Sequence, residues 1–286
     1  MPLSPQDEIA RYLSTGEHNG LYAAWPGESL MARARNGELA LRRALISAVN
    51  DRAPAAKVPD ALADLDVEAF AREKLLPMVR GCFPASEQTA VLEMLGRSVI
   101  FLTADNIEAV LRTTPFVGTA WTLTNLYLLS LVEPFSDDAP KIVGLSEGTT
   151  CYISTAYFQR ESRFEDFLVH EAAHVFHNRK RETIGLPKVR GREWLLEIDF
   201  RKREMFAYAC EGFSRIIALG NTLAARRRLL TDIEKERVLP DDRVDVDDYI
   251  QTLRHAVCSS NGWKRIFESC KPPSRGRSRP IKRTRT

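Results

Sequence analysis

The sequence predicts an α+β fold that is mostly helical and carries one small sheet. Apolar residues recur at helical spacing through most of the 286 residues, and Gly, Pro, Asn and Asp punctuate the runs. Short strand-like runs are confined to the middle of the chain, at residues 98–103 and 141–157. No internal repeat is present, which excludes a solenoid.

Taken in order, Ser4-Pro5 pairs an N-cap residue with a proline at the first helical position. Further helices are expected near residues 28–35, 37–49 and 66–80, with residues 53–60, which hold two prolines, as a loop. A strand at 98–103 leads into a helix from Asp105. Residues 120–132 form the most apolar stretch. It is interrupted by Thr122, Thr124 and Asn125 and is too short to span a bilayer, so it reads as a buried helix. Residues 141–145 and 149–157 read as a hairpin across Ser146-Glu147-Gly148. A helix over 162–177 follows. Ser162 and Glu165 have capping-box spacing, Phe164, Phe167, Leu168, Ala172, Val175 and Phe176 keep helical spacing, and neither Pro nor Gly intervenes before Gly185. A second strong helix covers 199–219 and stops at Gly220. Helices at 245–257 and 261–269 close the folded part. The expected organisation is an N-terminal helical region over 1–90, a main domain over 91–270 and a tail over 271–286.

Composition narrows the class. A hydrophobic share of 44% and a charged share of 28% are ordinary for a globular protein. The five cysteines are odd in number and hold no Cys-x-x-Cys pair, so they read as reduced thiols rather than a disulfide frame or a thiolate zinc site. Residues 1–11 are polar and acidic rather than a signal peptide. A cytoplasmic location is expected, with export by a signal-independent route left open.

Three of the five histidines fall in His170-Glu171-Ala172-Ala173-His174-Val175-Phe176-His177. On a helix, positions four apart share a face, so His170 and His174 reach one metal ion with Glu171 beside it. This His-Glu-x-x-His pattern resembles the signature of the zincin metallopeptidases, and within them the gluzincins. The likeness covers roughly residues 162–220. It implies a Zn2+ held by His170, His174 and a third protein ligand, with a water at the open position. Glu171 is then the general base, the catalysed reaction is peptide-bond hydrolysis, and the substrate is a protein or peptide held in extended form along an edge strand. The expected core is therefore zincin-like, with the hairpin preceding the motif helix. Iron or manganese also suits two His and a carboxylate.

Three glutamates are candidates for the third ligand. Glu193 has the spacing of thermolysin-like and aminopeptidase-like gluzincins, but bulky Trp194-Leu195-Leu196 follow it. Glu204-Met205-Phe206-Ala207-Tyr208-Ala209 resembles the Glu-x-Phe-Ala-x-Ala of some gluzincins, including toxin-type enzymes, and Glu204 is favoured. Glu211-Gly212-Phe213 resembles the aminopeptidase type. Glu204 and Glu211 share a helix face but lie roughly 10 Å apart along the axis, so one ion cannot take both. Tyr208, four after Glu204, is the expected donor to the developing oxyanion, with Tyr152 and Tyr157 as weaker alternatives. Asp166 is placed to orient His170. His177 lies a turn beyond the metal, where it contacts a ligand, the substrate or solvent.

Two other classes compete: a zincin-fold regulatory or binding module with little proteolysis, and a helical protein without metal, its glutamates paired with Arg201, Lys202, Arg203 and Arg215. Glu171 favours the enzyme, since merely holding zinc does not need it. The tail carries Lys271, Arg275, Arg277, Arg279, Lys282, Arg283 and Arg285 and no acid, and without it the net charge falls from +3 to −4. It reads as a disordered basic segment open to a weak anionic partner, nucleic acid or an acidic surface.

Overall fold

The computed structural model describes residues 4–53, 57–136, 139, 142–159, 162–189, 191–236 and 241–273. Helix α1 (Pro5–Thr15) opens as expected: Ser4 Oγ accepts the Asp7 N–H and the Asp7 carboxylate accepts the Ser4 N–H. Helix α2 (Leu30–Arg52) is one continuous helix where the sequence suggested two. Gly37 does not break it; a Cβ there would collide with the Tyr22 and Trp25 rings, so the glycine serves close packing. After α3 (Asp60–Ala63), Asp66 caps α4 (Val67–Cys82). Helix α5 (Ala85–Ser98), which the sequence reading missed, begins behind Pro84 and runs directly into strand β1 (Val99–Leu102). Helices α6 (Ile107–Thr113) and α7 (Val117–Leu128) follow.

Strands β2 (Gly144–Glu147) and β3 (Thr150–Ser154) form the expected hairpin with later, shorter limbs; the turn is Gly148-Thr149, with Gly148 at φ 59. Among the described residues the sheet order is β1-β3-β2, with β1 parallel and β2 antiparallel to β3. The remaining helices are α8 (Phe167–Asn178), α9 (Arg203–Leu219), α10 (Leu223–Glu236), α11 (Val246–Val257) and α12 (Gly262–Cys270). Helix α10 was also missed in the sequence.

The sheet separates two cores because side chains alternate across it. Val99, Phe101, Cys151 and Ile153 face a core shared by α4, α5, α8, α9 and the C-terminal helices. Leu102 and Tyr152 face a core shared by α1, α2, α6 and α7. A boundary near residue 90 falls inside α5, and the first ninety residues contribute to both cores. Arg181, 1% exposed, makes a two-pronged ion pair to Glu87 of α5, at 2.6 and 3.0 Å, and so ties that helix to the segment after α8. Among the described residues no helix is long and apolar enough to cross a membrane, and the five cysteines are free. The basic tail beyond residue 273 lies outside the described residues.

Candidate metal centre

Helix α8 starts at Phe167, not at the Ser162 box. Asp166 is the N-cap residue, and its groups are committed elsewhere: the carboxylate meets Lys74 Nζ at 2.8 Å and accepts the Tyr157 hydroxyl at 3.2 Å, while its N–H donates to Glu211 Oε1 at 2.6 Å. From Leu168 to His177 the helix is buried throughout. Helix α9 packs against it, and Ala172, Ala173, Ala207 and Ala209 are all fully buried. These small side chains let the two backbones approach and bring Glu204 over the motif.

The structure thereby brings together His170, His174 and Glu204. His170 Nε2 and His174 Nε2 are 3.3 Å apart, and Glu204 Oε2 lies 3.5 Å from His174 Nε2 and 3.9 Å from His170 Nε2. An ion held tetrahedrally at zinc–nitrogen and zinc–oxygen distances separates its ligand atoms by about 3.3–3.4 Å, so this triangle has the right size.

The far nitrogens fix the tautomers. His170 Nδ1–H donates to Glu211 Oε2 at 3.0 Å, since a carboxylate only accepts. His177 Nδ1–H donates to Asn178 Oδ1 at 3.0 Å, which leaves His177 Nε2 to accept from His174 Nδ1–H at 3.1 Å. With both rings neutral, this assignment, drawn from the hydrogen-bond network, turns the Nε2 atoms of His170 and His174 toward each other as acceptors, an arrangement that a cation between them, a proton on His170 or a metal ion, stabilises. His170 thus has the carboxylate outer partner typical of metal-bound histidine, while His174 leans on a second imidazole.

Burial opposes the protonation of His170, yet the hydrogen bond and charge of Glu211, with Glu171 and Glu204, raise its pKa to about 9. Burial also pushes Glu204 up, but His174, Arg243 and His170 together hold its carboxyl below the usual range. Glu171 is raised by burial, partly offset by His170 and His174. Burial, the His174 charge and Arg203 depress His177 to about 3, so it stays a neutral acceptor. A carboxylate-rich pocket that raises an imidazole's proton affinity in this way also attracts a metal cation, which competes with that proton for the same nitrogen.

Glu171 lies beneath the start of β2 and takes a hydrogen bond from the Ser146 side chain. A Cβ at Gly144 would stand 2.6 Å from Glu171 Cγ and 3.0 Å from its Oε1, so the glycine lets the edge strand pass over this carboxylate. Tyr208 packs its ring against His170, with centroids 4.5 Å apart at 74°. Burial and then the Glu211, Asp241 and Glu204 charges raise its hydroxyl pKa, which keeps it protonated.

Comparison with family models, curated proteins and solved structures finds no match to this chain.

The other candidates fall elsewhere. Glu211 is not in the ligand triangle; it holds His170 from behind, the place expected for Asp166. Glu193 is 61% exposed and paired with Lys180 at 2.7 Å. Tyr157 is committed to Asp166, and Tyr152 faces the opposite core. Four residues that the sequence reading did not single out also surround the centre: Gly144, Ser146, Asp241 and Arg243. Arg243 Nη2 lies 3.2 Å from Glu204 Oε1, and Asp241 grips the same guanidinium. Only the hairpin position preceding the motif helix hints at the first two, and Asp241-Asp242-Arg243 reads in sequence as a polar turn.

Proposed function

We propose that this chain is a zinc-dependent metallopeptidase with the His170–His174–Glu204 triangle as its metal site. The observation that carries the reading is the coincidence, at one buried spot, of three donor atoms spaced for one ion and a carboxylate raised toward neutrality. A bound divalent ion would polarise a carbonyl and lower the pKa of its water toward about 7. Glu171 then accepts the proton of the attacking water and delivers it to the departing amine. Its elevated pKa suits both halves of that task. Ser146 and the close cover of Gly144 fix its carboxylate. Tyr208, protonated and flanking His170, donates to the developing oxyanion. Strand β2 is a sheet edge among the described residues and passes over Glu171. An extended peptide adds to such an edge by backbone hydrogen bonds, which favours peptides over compact small molecules.

The test is elemental analysis of the purified wild type, His174→Ala and Glu171→Gln, with hydrolysis of an unfolded protein substrate in parallel. About one zinc per chain in wild type and Glu171→Gln, its loss in His174→Ala, and hydrolysis by the wild type alone are expected. A wild type that takes up no metal even when zinc is supplied, or hydrolysis that survives Glu171→Gln, overturns the reading.

A further inference from the structure

We infer that Asp241 and Arg243 form a clamp that makes Glu204 a one-oxygen metal ligand. This rests on the metal reading above and assigns a positioning role to the connection between α10 and α11. Arg243 divides its guanidinium between two carboxylates. Nη2 lies 3.2 Å from Glu204 Oε1, while Nε stands 2.9 and 3.0 Å from the two oxygens of Asp241 and Nη2 reaches Asp241 Oδ2 as well. Glu204 therefore has its oxygens assigned to different tasks: Oε1 to Arg243, Oε2 to the triangle with His170 and His174.

The clamp is held by its own turn and by the residues that follow it. Asp241 Oδ1 also accepts the Arg243 backbone N–H at 2.8 Å, closing a local turn. The next residue, Val244, is 5% exposed within the main core, and Asp245 caps α11 through the Asp248 N–H at 2.9 Å. The Asp241 side chain is itself largely buried, at 11% exposure, while the Arg243 side chain is 66% exposed. The turn therefore presents the guanidinium from the solvent side onto the outer oxygen of Glu204.

Two consequences follow from the chemistry. A carboxylate with both oxygens free binds a hard or borderline cation through one or both of them, and a zinc site can expand to five ligands. With Oε1 occupied, only Oε2 is offered, and the remaining position stays open for water and substrate. Arg243 alone would set a positive charge beside a doubly charged ion. Asp241 cancels that charge, so the fork supplies geometry without repelling the metal.

The experiment uses Co2+ as the probe, added to the full-length metal-free protein as wild type, Arg243→Ala and Arg243→Lys. The readouts are the visible ligand-field band and the cobalt stoichiometry. Four-coordinate cobalt absorbs far more strongly than five- or six-coordinate cobalt. Wild type is expected to bind one cobalt with an intense band. Arg243→Ala is expected to bind the same amount with most of that intensity lost, because Oε1 joins the coordination shell. Arg243→Lys keeps the charge but lacks the fork that spans both carboxylates, and the same loss is expected. It also serves as the second variant should the alanine substitution fail to fold. Stoichiometric cobalt in all forms with superimposable spectra overturns the clamp and leaves the metal centre standing. A wild type that binds no cobalt overturns both.

Discussion

Replacing Glu211 by Gln isolates what the carboxylate behind His170 contributes. Glu211 is 4% exposed, and its two oxygens accept the His170 Nδ1–H at 3.0 Å and the Asp166 N–H at 2.6 Å. Glutamine offers one acceptor and one NH2 group, so one of the two donors meets another donor. The loss of a hydrogen bond to a charged acceptor costs roughly 1.5–3 kcal/mol, and the stranded buried donor about 1–3 kcal/mol more. Part of this is recovered by relaxation, so about 3 kcal/mol of stability is the expected loss, read as a lowered urea midpoint of the metal-free protein. Metal affinity falls by about 10–100-fold, as outer-partner substitutions at metal sites do, which is roughly 1.4–2.7 kcal/mol. The sharper signature is protonic. In the metal-free wild type the His170 pKa is raised to about 9, so the ring is protonated at neutral pH and metal binding must expel that proton. Without the Glu211 charge the His170 pKa falls, and the metal displaces fewer protons at pH 7. Calorimetric titration with zinc in buffers of different ionisation heat counts these protons. Unchanged affinity and unchanged proton release in Glu211→Gln would refute the assignment. The stability sign is also fixed: a pKa raised above the unfolded 6.5 gives stability present below about 6.5 and lost as pH rises through about 9. The metal-free protein should lose thermal stability over that window, and the zinc-loaded protein should not.

Glu171→Gln should abolish hydrolysis, keep zinc and raise the melting midpoint at pH 7. Burial raises the carboxyl pKa above the unfolded value, so its ionisation at neutral pH costs stability; thermal scans should show the gain at pH 7 and none at pH 4. Gly144→Ala puts a methyl 2.6 Å from Glu171 Cγ and should lower kcat with metal content unchanged, as steady-state kinetics beside elemental analysis would show. His177→Ala removes the acceptor 3.1 Å from His174 Nδ1 and should weaken zinc by about 10–100-fold in competition with a chelator. Arg181→Met removes the two-pronged partner of Glu87 and leaves it Arg192, 3.9 Å away and 40% exposed, so chemical denaturation should register a loss of up to about 3 kcal/mol.

Local signals made much of this molecule legible in its sequence. The cap at Ser4-Pro5, the caps at Asp66, Asp245 and Asn261 and the hairpin at Gly148 are fixed by residues within a few positions of one another, and the corresponding elements are present. The failures share a different cause. Gly37 reads as a helix breaker until Tyr22 and Trp25 are seen lying on it. Ser162 and Glu165 have the spacing of a cap, but the tertiary partners of Asp166, namely Lys74, Tyr157 and Glu211, set the start of α8 instead. At the site, periodicity was enough to put His170 and His174 on one face, and small residues were enough to favour Glu204. Glu211 lay within view but in the wrong role, because spacing along one helix does not say which side of an imidazole a carboxylate on another helix will meet. Arg243 carries no motif at all; only the tertiary packing of the turn at 241–243 brings it to Glu204.

Helix α4 reaches the candidate centre through Asp166. Lys74 of α4 neutralises Asp166, the Asp166 N–H holds one oxygen of Glu211, and the other oxygen holds His170. The Asp166 side chain is 1% exposed, so without Lys74 it would be a buried charge whose nearest remaining partner is the Tyr157 hydroxyl. Such a charge is tolerated only when paired. Relief by moving Asp166 would pull its N–H from Glu211 and free the carboxylate that sets the tautomer of His170. On the opposite side His174 leans on His177, a neutral acceptor supplied from within α8 itself. The two candidate ligand histidines are therefore held in unlike ways, one by a chain of hydrogen bonds and an ion pair that reaches α4, the other by its own helix. A perturbation arriving from α4 reaches the candidate centre through His170 first.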